Sequence, residues 1–365
     1  MTFVSAERLV TAAHDGPGWL EIAEGIVVGR GNGSRGGLLG TVIPGFVDLH
    51  AHGAVGHDFG STDAAGLREA IGYHASHGTT SLVASVATAP LADLNASIAF
   101  LRPFVDNGDL VGIHLEGPFL SPLRRGAHRA ELLRTPRLDD IRALVNAGGD
   151  ALRMLTMAPE LDGAEESIRW LVERGVVVAL GHSDADAKIA RAAFNWGATV
   201  VTHIFNGMRP LHHREPGIIG VALLDDRVTV ELILDGLHVA PEAAELVRRA
   251  APRRLALVSD AMAATGCVDG EYDVAGSAVR VSGGVATLVG GDSLAGSTAT
   301  VSTGFDLLIS RGTLLSDAVD ATSTSPARTL GLAVPLSVGS PADLLVVESG
   351  RVTAVMRRGT WLASS

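Results

Sequence analysis

Lysine is almost missing from this 365-residue chain: Lys188 is the only one, so nearly all of the 29 basic residues are arginines. Cysteine is equally scarce. A single thiol, Cys267, excludes an intrachain disulfide framework and fits a reducing compartment. It also excludes thiolate zinc clusters, so any metal ion must be held by histidine and carboxylate side chains. Positive charge is in the minority, 29 basic against 40 acidic residues for a net charge of −11, and no basic run occurs. Nucleic acid and anionic membranes are therefore not expected partners. An anionic small molecule would need a local cluster of arginines. No apolar stretch is long enough to span a bilayer. The opening "MTFVSAERLV" lacks the basic and apolar segments of a secretory signal, and the expected location is the cytoplasm.

What is present has a globular balance, 47% hydrophobic and 19% charged, in a length that allows one large domain or a large and a small one. Both ends read as short β-segments broken by glycine turns, "LEIAEGIVVGRGNG" near the start and "DLLVVESGRVTAVMRRGTWL" near the finish. Residues 1–43 and 337–365 are therefore expected to assemble one small β-sandwich domain. The stretch between them, 44–336, alternates eight short apolar runs, from "TVIPGFVDLH" to "RLALVSD", with helix-like segments. Among the latter, "DAAGLREAIGYHASHG" ends on a glycine, and "DADAKIARAAFNWG" starts on acidic caps and ends on Gly197. Near-continuous apolar runs fit buried parallel strands. Eight βα units close most naturally into a (β/α)8 TIM-like barrel. A doubly wound open sheet is the structural alternative, but no G-x-G-x-x-G turn follows the first strand.

Nearly every run ends in a polar residue: His50 and His52, Glu116, Glu160, His182 and Asp184, His203 and Asn206, Asp235 and His238, Asp260. In a barrel those ends converge on the face where active sites are built. In "PGFVDLHAHG" the two histidines are one residue apart, so in an extended chain both point to one face. His50, His52, Glu116, His182 and His203 form a candidate metal set suited to zinc, and also to iron, manganese or cobalt. A carboxylate can bridge two ions. A carboxylated lysine is the usual bridge in many barrel hydrolases. Here the only lysine lies inside a helix-like stretch, which leaves Glu116 of "HLEGPF". A divalent ion lowers the pKa of bound water to about 7. Asp260 of "VSDAM" is placed to take that proton and return it to a leaving amine. Its plain structural reading is a helix N-cap, and that of Glu116 a buried ion-pair partner.

The motifs "PGFVDLHAHG" and "GSPADLLV" resemble the amidohydrolase superfamily. "HLEGPFLSPLRRGAH", "GHSDA", "VTHIFNGMRPLHHREPG", "DGLH" and "LAGS", in that order, narrow the resemblance to the N-acetylglucosamine-6-phosphate deacetylases over essentially the whole chain. That resemblance implies hydrolytic removal of acetate from the phosphorylated amino sugar. It implies Glu116, His182 and His203 as ligands of the principal metal, His128 as the group that orients the acetyl carbonyl, and Asp260 as acid/base. It further implies Arg214, Asn206 and Gly207 at the phosphate. His238, Ala127 and the stretch Leu294, Ala295, Gly296 are implied on the sugar. A homodimer is implied as well, in which Arg214 and His238 serve either their own or a neighbouring site. Some members lack the H-x-H pair and hold one ion; its presence here leads to the expectation of two. The same motifs leave open a related substrate, the galactosamine epimer. A scaffold without activity is the non-enzymatic alternative. Arg214 also reads simply as a surface loop residue.

Overall fold

The computed structural model describes residues 1–291 and 293–363; the last two residues of the terminal β-segment, like Asp292, lie outside them. Eight parallel strands form the central sheet: Phe46–Ala51, Thr79–Ala87, Gly112–Glu116, Leu152–Met157, Val177–Leu180, Val200–Val201, Thr229–Ile233 and Leu255–Val258. They hydrogen-bond in sequence order, and each coincides with one of the eight apolar runs; the first passes its run by one residue, to Ala51, while Thr41–Pro44 of that run belongs to the terminal sheet. Phe46–Ala51 and Gly112–Glu116 are buried at every position, as expected of strands covered by helices outside and by each other inside. The seam between the eighth and first strands is closed by a bridge from Ala51 to Ala261 and by the Asp260 amide donating to the His50 carbonyl at 2.8 Å. Asp48, fully buried, accepts from the Ser259 hydroxyl at 2.5 Å across the same seam. Burial pushes its carboxyl up to about 6, against the hydrogen bonds from Ser259 and His50.

Helices alternate with the strands. The Asp63 carboxylate caps the helix Ala64–Ser76 by accepting from the amides of Ala65 and Gly66. The helix Ala187–Trp196 is capped by Asp186 and stopped by Gly197, which is left-handed at φ 114°. Of the two acidic residues at its head, Asp184 and Asp186, only Asp186 caps it. Asp184 turns instead to Arg124 and Arg209, at 2.8 and 2.6 Å.

The terminal segments meet in one seven-stranded sheet: Thr2–Thr11, His14–Ala23, Ile26–Asn32 and Leu38–Pro44 join Leu344–Glu348, Arg351–Arg357 and Thr360–Trp361. The Ile26 edge returns to bridge Pro341, next to the strand Leu344–Glu348, so the sheet folds over its own core of Val4, Leu9, Leu20, Val27, Leu344 and Met356. A folded sheet thus provides the two facing layers expected of a sandwich.

One element was not legible as such. Between the eighth strand and its helix Val301–Ser310 lies a three-stranded antiparallel sheet, Gly270–Val274, Ser277–Ser282 and Val285–Leu288. Its turns, Ala275-Gly276 and Gly283-Gly284, have positive φ at both central positions, the geometry that matches strand twist in a two-residue hairpin.

Candidate active site

Glu116, at the end of the third strand, is the hub of a buried histidine cluster. Its Oε1 faces the Nε2 atoms of His182 and His203 at 3.0 Å each and of His50 at 3.6 Å. Its Oε2 faces the Nε2 atoms of His52 and His128 at 3.2 and 3.3 Å. Asp260 Oδ1 lies 3.4 Å from His52 Nε2 and 3.6 Å from His50 Nε2. The H-x-H pair does point to one face: the two Nε2 atoms are 3.0 Å apart. His182, His203 and Asp260 sit just past their strands with left-handed φ of 48°, 26° and 48°. Turning the chain this way costs about 1–3 kcal/mol at each residue, a strain typical of sites where the backbone must aim a side chain inward.

The outer nitrogens of these rings decide what the inner ones can do. His182 Nδ1 is 2.9 Å from the Arg124 carbonyl, which can only accept, so the proton sits on Nδ1 and Nε2 carries a lone pair. His50 Nδ1 faces the Glu231 carboxylate at 3.4 Å, with the same consequence. Lone pairs on His50 and His182 are thus aimed at a carboxylate that is itself an acceptor, an arrangement that is repulsive without a cation between them. In the metal-free cluster a proton fills that role: burial lowers His50, but Glu116 and Asp260 raise it well above the ordinary histidine range. Burial opposes charge on every member. Even so, the imidazoles of His50 and His128 hold Glu116 well below the usual carboxylate range, and Asp260 and Glu116 push His52 up to about 9. These donors, all nitrogen and carboxylate oxygen, fit a divalent ion. Two ligand sets have their donor atoms within 4.8 Å of one another: His50, His52 and Glu116, and Glu116, His128 and His182. The second includes His128, which the sequence marked for another role, while His203 keeps its own contact with Glu116.

A cavity of about 310 Å³ opens beside the cluster. Ala127, His128, Asn206, Gly207, His238, Asp260 and the stretch Leu294 to Gly296 line it together with His52, Glu116, His182 and His203. His50 is not on the wall; it lies beneath, fully buried. The three-stranded sheet supplies Val274 and Ala275 to the rim. Arg214 is not brought into this cavity. It is exposed in its loop, 2.8 Å from His213 Nε2. Among the described residues, Arg129 is the only arginine or lysine on the wall.

Gly207 is required where it stands. Its φ is 61°, and a Cβ there would fall 2.7 Å from His182 Nδ1. His238 Nδ1 donates to Asp235 Oδ2 at 2.7 Å.

A layer of polar residues inside the barrel supports the cluster and was missed by attention to strand ends. Asp48 and His114 lie two residues before His50 and Glu116, hence on the same faces of their strands. His114 is held between the Ser85 and Thr156 hydroxyls at 2.9 and 2.8 Å. Burial keeps its imidazole well below the ordinary histidine range, with the nearby His50 adding to the effect. Glu231 stands alone as a carboxylate in the apolar run "VTVELI". That isolation was the available signal.

Comparison with known proteins agrees with this architecture. Residues 41–362 match the amidohydrolase family. The chain is 37% identical, over 85% of its length and 84% of the relative's, to N-acetylgalactosamine-6-phosphate deacetylase of Escherichia coli O157:H7. It is 35% identical to N-acetylglucosamine-6-phosphate deacetylase of Vibrio furnissii, over 84% and 79% of the two chains. A solved mutant of N-acetyl-D-glucosamine-6-phosphate deacetylase from Mycobacterium smegmatis, in complex with N-acetyl-D-glucosamine-6-phosphate, superposes with a TM-score of 0.95. The two share 44% identity over 99% of this chain and 98% of that one.

Proposed function

Because the chain belongs to the amidohydrolase family and is a hydrolase of amide bonds, we propose that it removes the acetyl group from N-acetylglucosamine 6-phosphate, giving glucosamine 6-phosphate and acetate. The observation that carries this reading is the placement of Asp260 beside the Glu116–histidine cluster on the wall of a cavity sized for one sugar. A divalent ion held by His50, His52, Glu116, His182 and His203 would supply Lewis-acid activation of the attacking water and of the acetyl carbonyl.

The chain's own groups do the rest. Asp260 takes a proton from the water whose oxygen bonds to the acetyl carbon, and returns it to the nitrogen as the C–N bond breaks. His128 orients the carbonyl. Ala127, His238 and the main chain of Leu294, Ala295 and Gly296 hold the sugar. Asn206 and Gly207 receive the phosphate, joined by Arg214 of the partner subunit in a homodimer. That assignment accounts for an arginine that is exposed and outside its own chain's cavity. Zinc is the proposed ion, two per chain, in a cytoplasmic enzyme. The proposed division into a catalytic unit, 44–336, and a β unit, 1–43 with 337–365, is supported by the separate eight- and seven-stranded sheets, with Pro44 at the boundary still in the latter. A galactosamine substrate is the second reading, favoured by the 37% identical Escherichia coli relative.

The test is acetate release from the 6-phosphates of N-acetylglucosamine and N-acetylgalactosamine and from unphosphorylated N-acetylglucosamine, on protein of measured metal content. Release from the glucosamine phosphate, stopped by chelator and restored by zinc, is expected. Equal rates with and without phosphate would remove the phosphate contacts, and no release from any sugar would sink the reading. Metal content should fall from two ions per chain to one in a His50→Ala/His52→Ala variant. One ion in both proteins would overturn the second site.

A further inference from the structure

Glu231 sits in the middle of the seventh barrel strand, Thr229–Ile233, with no solvent exposure at all. A carboxylate so deeply buried is costly unless it is paired, normally by an arginine, a lysine or several amides. Among the described residues Glu231 has no such cation. Its one ion-pair neighbour is His50. The same oxygen, Oε2, faces His50 Nδ1 at 3.4 Å and accepts from the His203 amide at 3.3 Å, while Oε1 has no partner. His50 and His203 come from the ends of the first and sixth strands, and their rings stack at 5.4 Å. The His50 ring also meets that of His114 edge to face, 4.6 Å away at 82°, itself fixed by Ser85 and Thr156. Two rings therefore pack against His50, and its Nδ1 faces a third group, the Glu231 carboxylate.

We propose that Glu231 is a positioning residue for the metal cluster. By accepting the Nδ1 proton of His50 it turns that ring's Nε2 lone pair toward His52 and Glu116, and by the same oxygen it sets the backbone of His203. The inference rests on the reading of the cluster as a metal centre. It adds that one buried carboxylate, in contact with neither the cavity nor an ion, determines whether the H-x-H pair can hold its ion. A role confined to barrel stability would not move either of the two readouts chosen to test it.

The first readout is the His50 tautomer in metal-free protein, from long-range ¹H–¹⁵N spectra with the signal assigned by its loss in His50→Ala. The spectra are taken at a pH high enough for the ring to be neutral, since Glu116 and Asp260 raise it against burial. The parent is expected to show Nδ1–H, and Glu231→Gln to shift His50 toward Nε2–H. The second is zinc affinity by chelator competition at fixed pH. Glu231→Gln should weaken the ion on the His50/His52 side about 10- to 100-fold, as loss of a supporting hydrogen bond to a ligand does. Glu231→Asp, which keeps the charge, should recover part of it, and the ion on the His182 side should be weakened less, through the His203 amide alone. Unchanged tautomer and affinity in Glu231→Gln would overturn the proposal. If that variant fails to fold, the parent's tautomer decides alone, and Nε2–H on His50 would overturn it. A parent that binds no zinc defeats the metal reading separately, because the tautomer still reports on Glu231.

Discussion

On one side of the Glu116 carboxylate, His50 and His52 stand on the closing seam of the barrel, backed by a buried carboxylate. On the other side, His182 and His128 are reached through loops, and the group behind His182 is a main-chain carbonyl. The strand side is held by elements that cannot move without opening the barrel: the Asp48–Ser259 tie, the Asp260 amide on the His50 carbonyl, and the packed His114 ring. The loop side depends on the segment carrying Arg124, which is fastened to Asp184 by one ion pair that Arg209 shares. The same chemistry, imidazole Nε2 on one carboxylate, is thus supported by strand-to-strand ties on one flank and by loop contacts on the other.

The largest effect should come from the group both flanks share. Glu116→Gln removes the carboxylate that five imidazoles face at once. Metal content should fall below one ion per chain. Activity should drop by more than the about 10²- to 10⁴-fold expected for loss of a general acid/base alone. Metal analysis and initial rates check both. A variant retaining one full ion would break the comparison, because Glu116 would then belong to a single flank.

A smaller and one-sided effect is expected from Gly207→Ala. The new methyl would meet His182 Nδ1 at 2.7 Å and Cε1 at 2.9 Å, at a φ that disfavours any side chain. The ring must shift, weakening its bond to the Arg124 carbonyl. Zinc affinity on the loop side should fall about 10- to 100-fold, while the ion on the His50/His52 side stays. Chelator-competition titration separates the two, and equal loss on both sides would mean that the flanks are mechanically coupled.

The strand side was the easier part to read in sequence. Each barrel strand coincides with an apolar run to within a residue, because a strand buried on both faces leaves a nearly unbroken hydrophobic signature. Of the polar residues at their ends, His50, His52, His182, His203 and Asp260 are gathered around Glu116, whereas Glu160 turns to Ser183 and Asp184 to two arginines. The polar layer inside the barrel was not read. Asp48 and His114 share the alternation of His50 and Glu116 but lie before the strand ends, and Glu231 interrupts its apolar run singly, with no periodicity to announce it. Arg124 was hidden for another reason, since it acts on His182 through its carbonyl, a group every residue possesses. The three-stranded sheet left its signal in Ala275-Gly276 and Gly283-Gly284, turn pairs that local alternation would have tied to a hairpin.

The smallest effect tests the loop side through protons, with no ion involved. His238, on the cavity wall, donates to Asp235, which also accepts from the amides of Leu237 and His238. Burial works against both charges. Even so, hydrogen bonding to His238 holds Asp235 below its ordinary value, and Asp235 holds His238 above the ordinary histidine range. A raised His238 contributes stability that is fully present below its unfolded value of about 6.5 and is lost as pH rises through the folded one. A lowered Asp235 contributes above its unfolded value of about 3.9 and loses that contribution as pH falls through the folded one. The pair therefore stabilises the loop between those limits. In metal-free protein, Asp235→Asn should cost about 1–3 kcal/mol near pH 6. The deficit should shrink toward pH 9 as the imidazole loses its proton. Urea midpoints of parent and variant across that range measure it. A deficit that stays constant would make the contact a neutral hydrogen bond. The loop flank would then owe its order to fixed geometry, as the strand flank does.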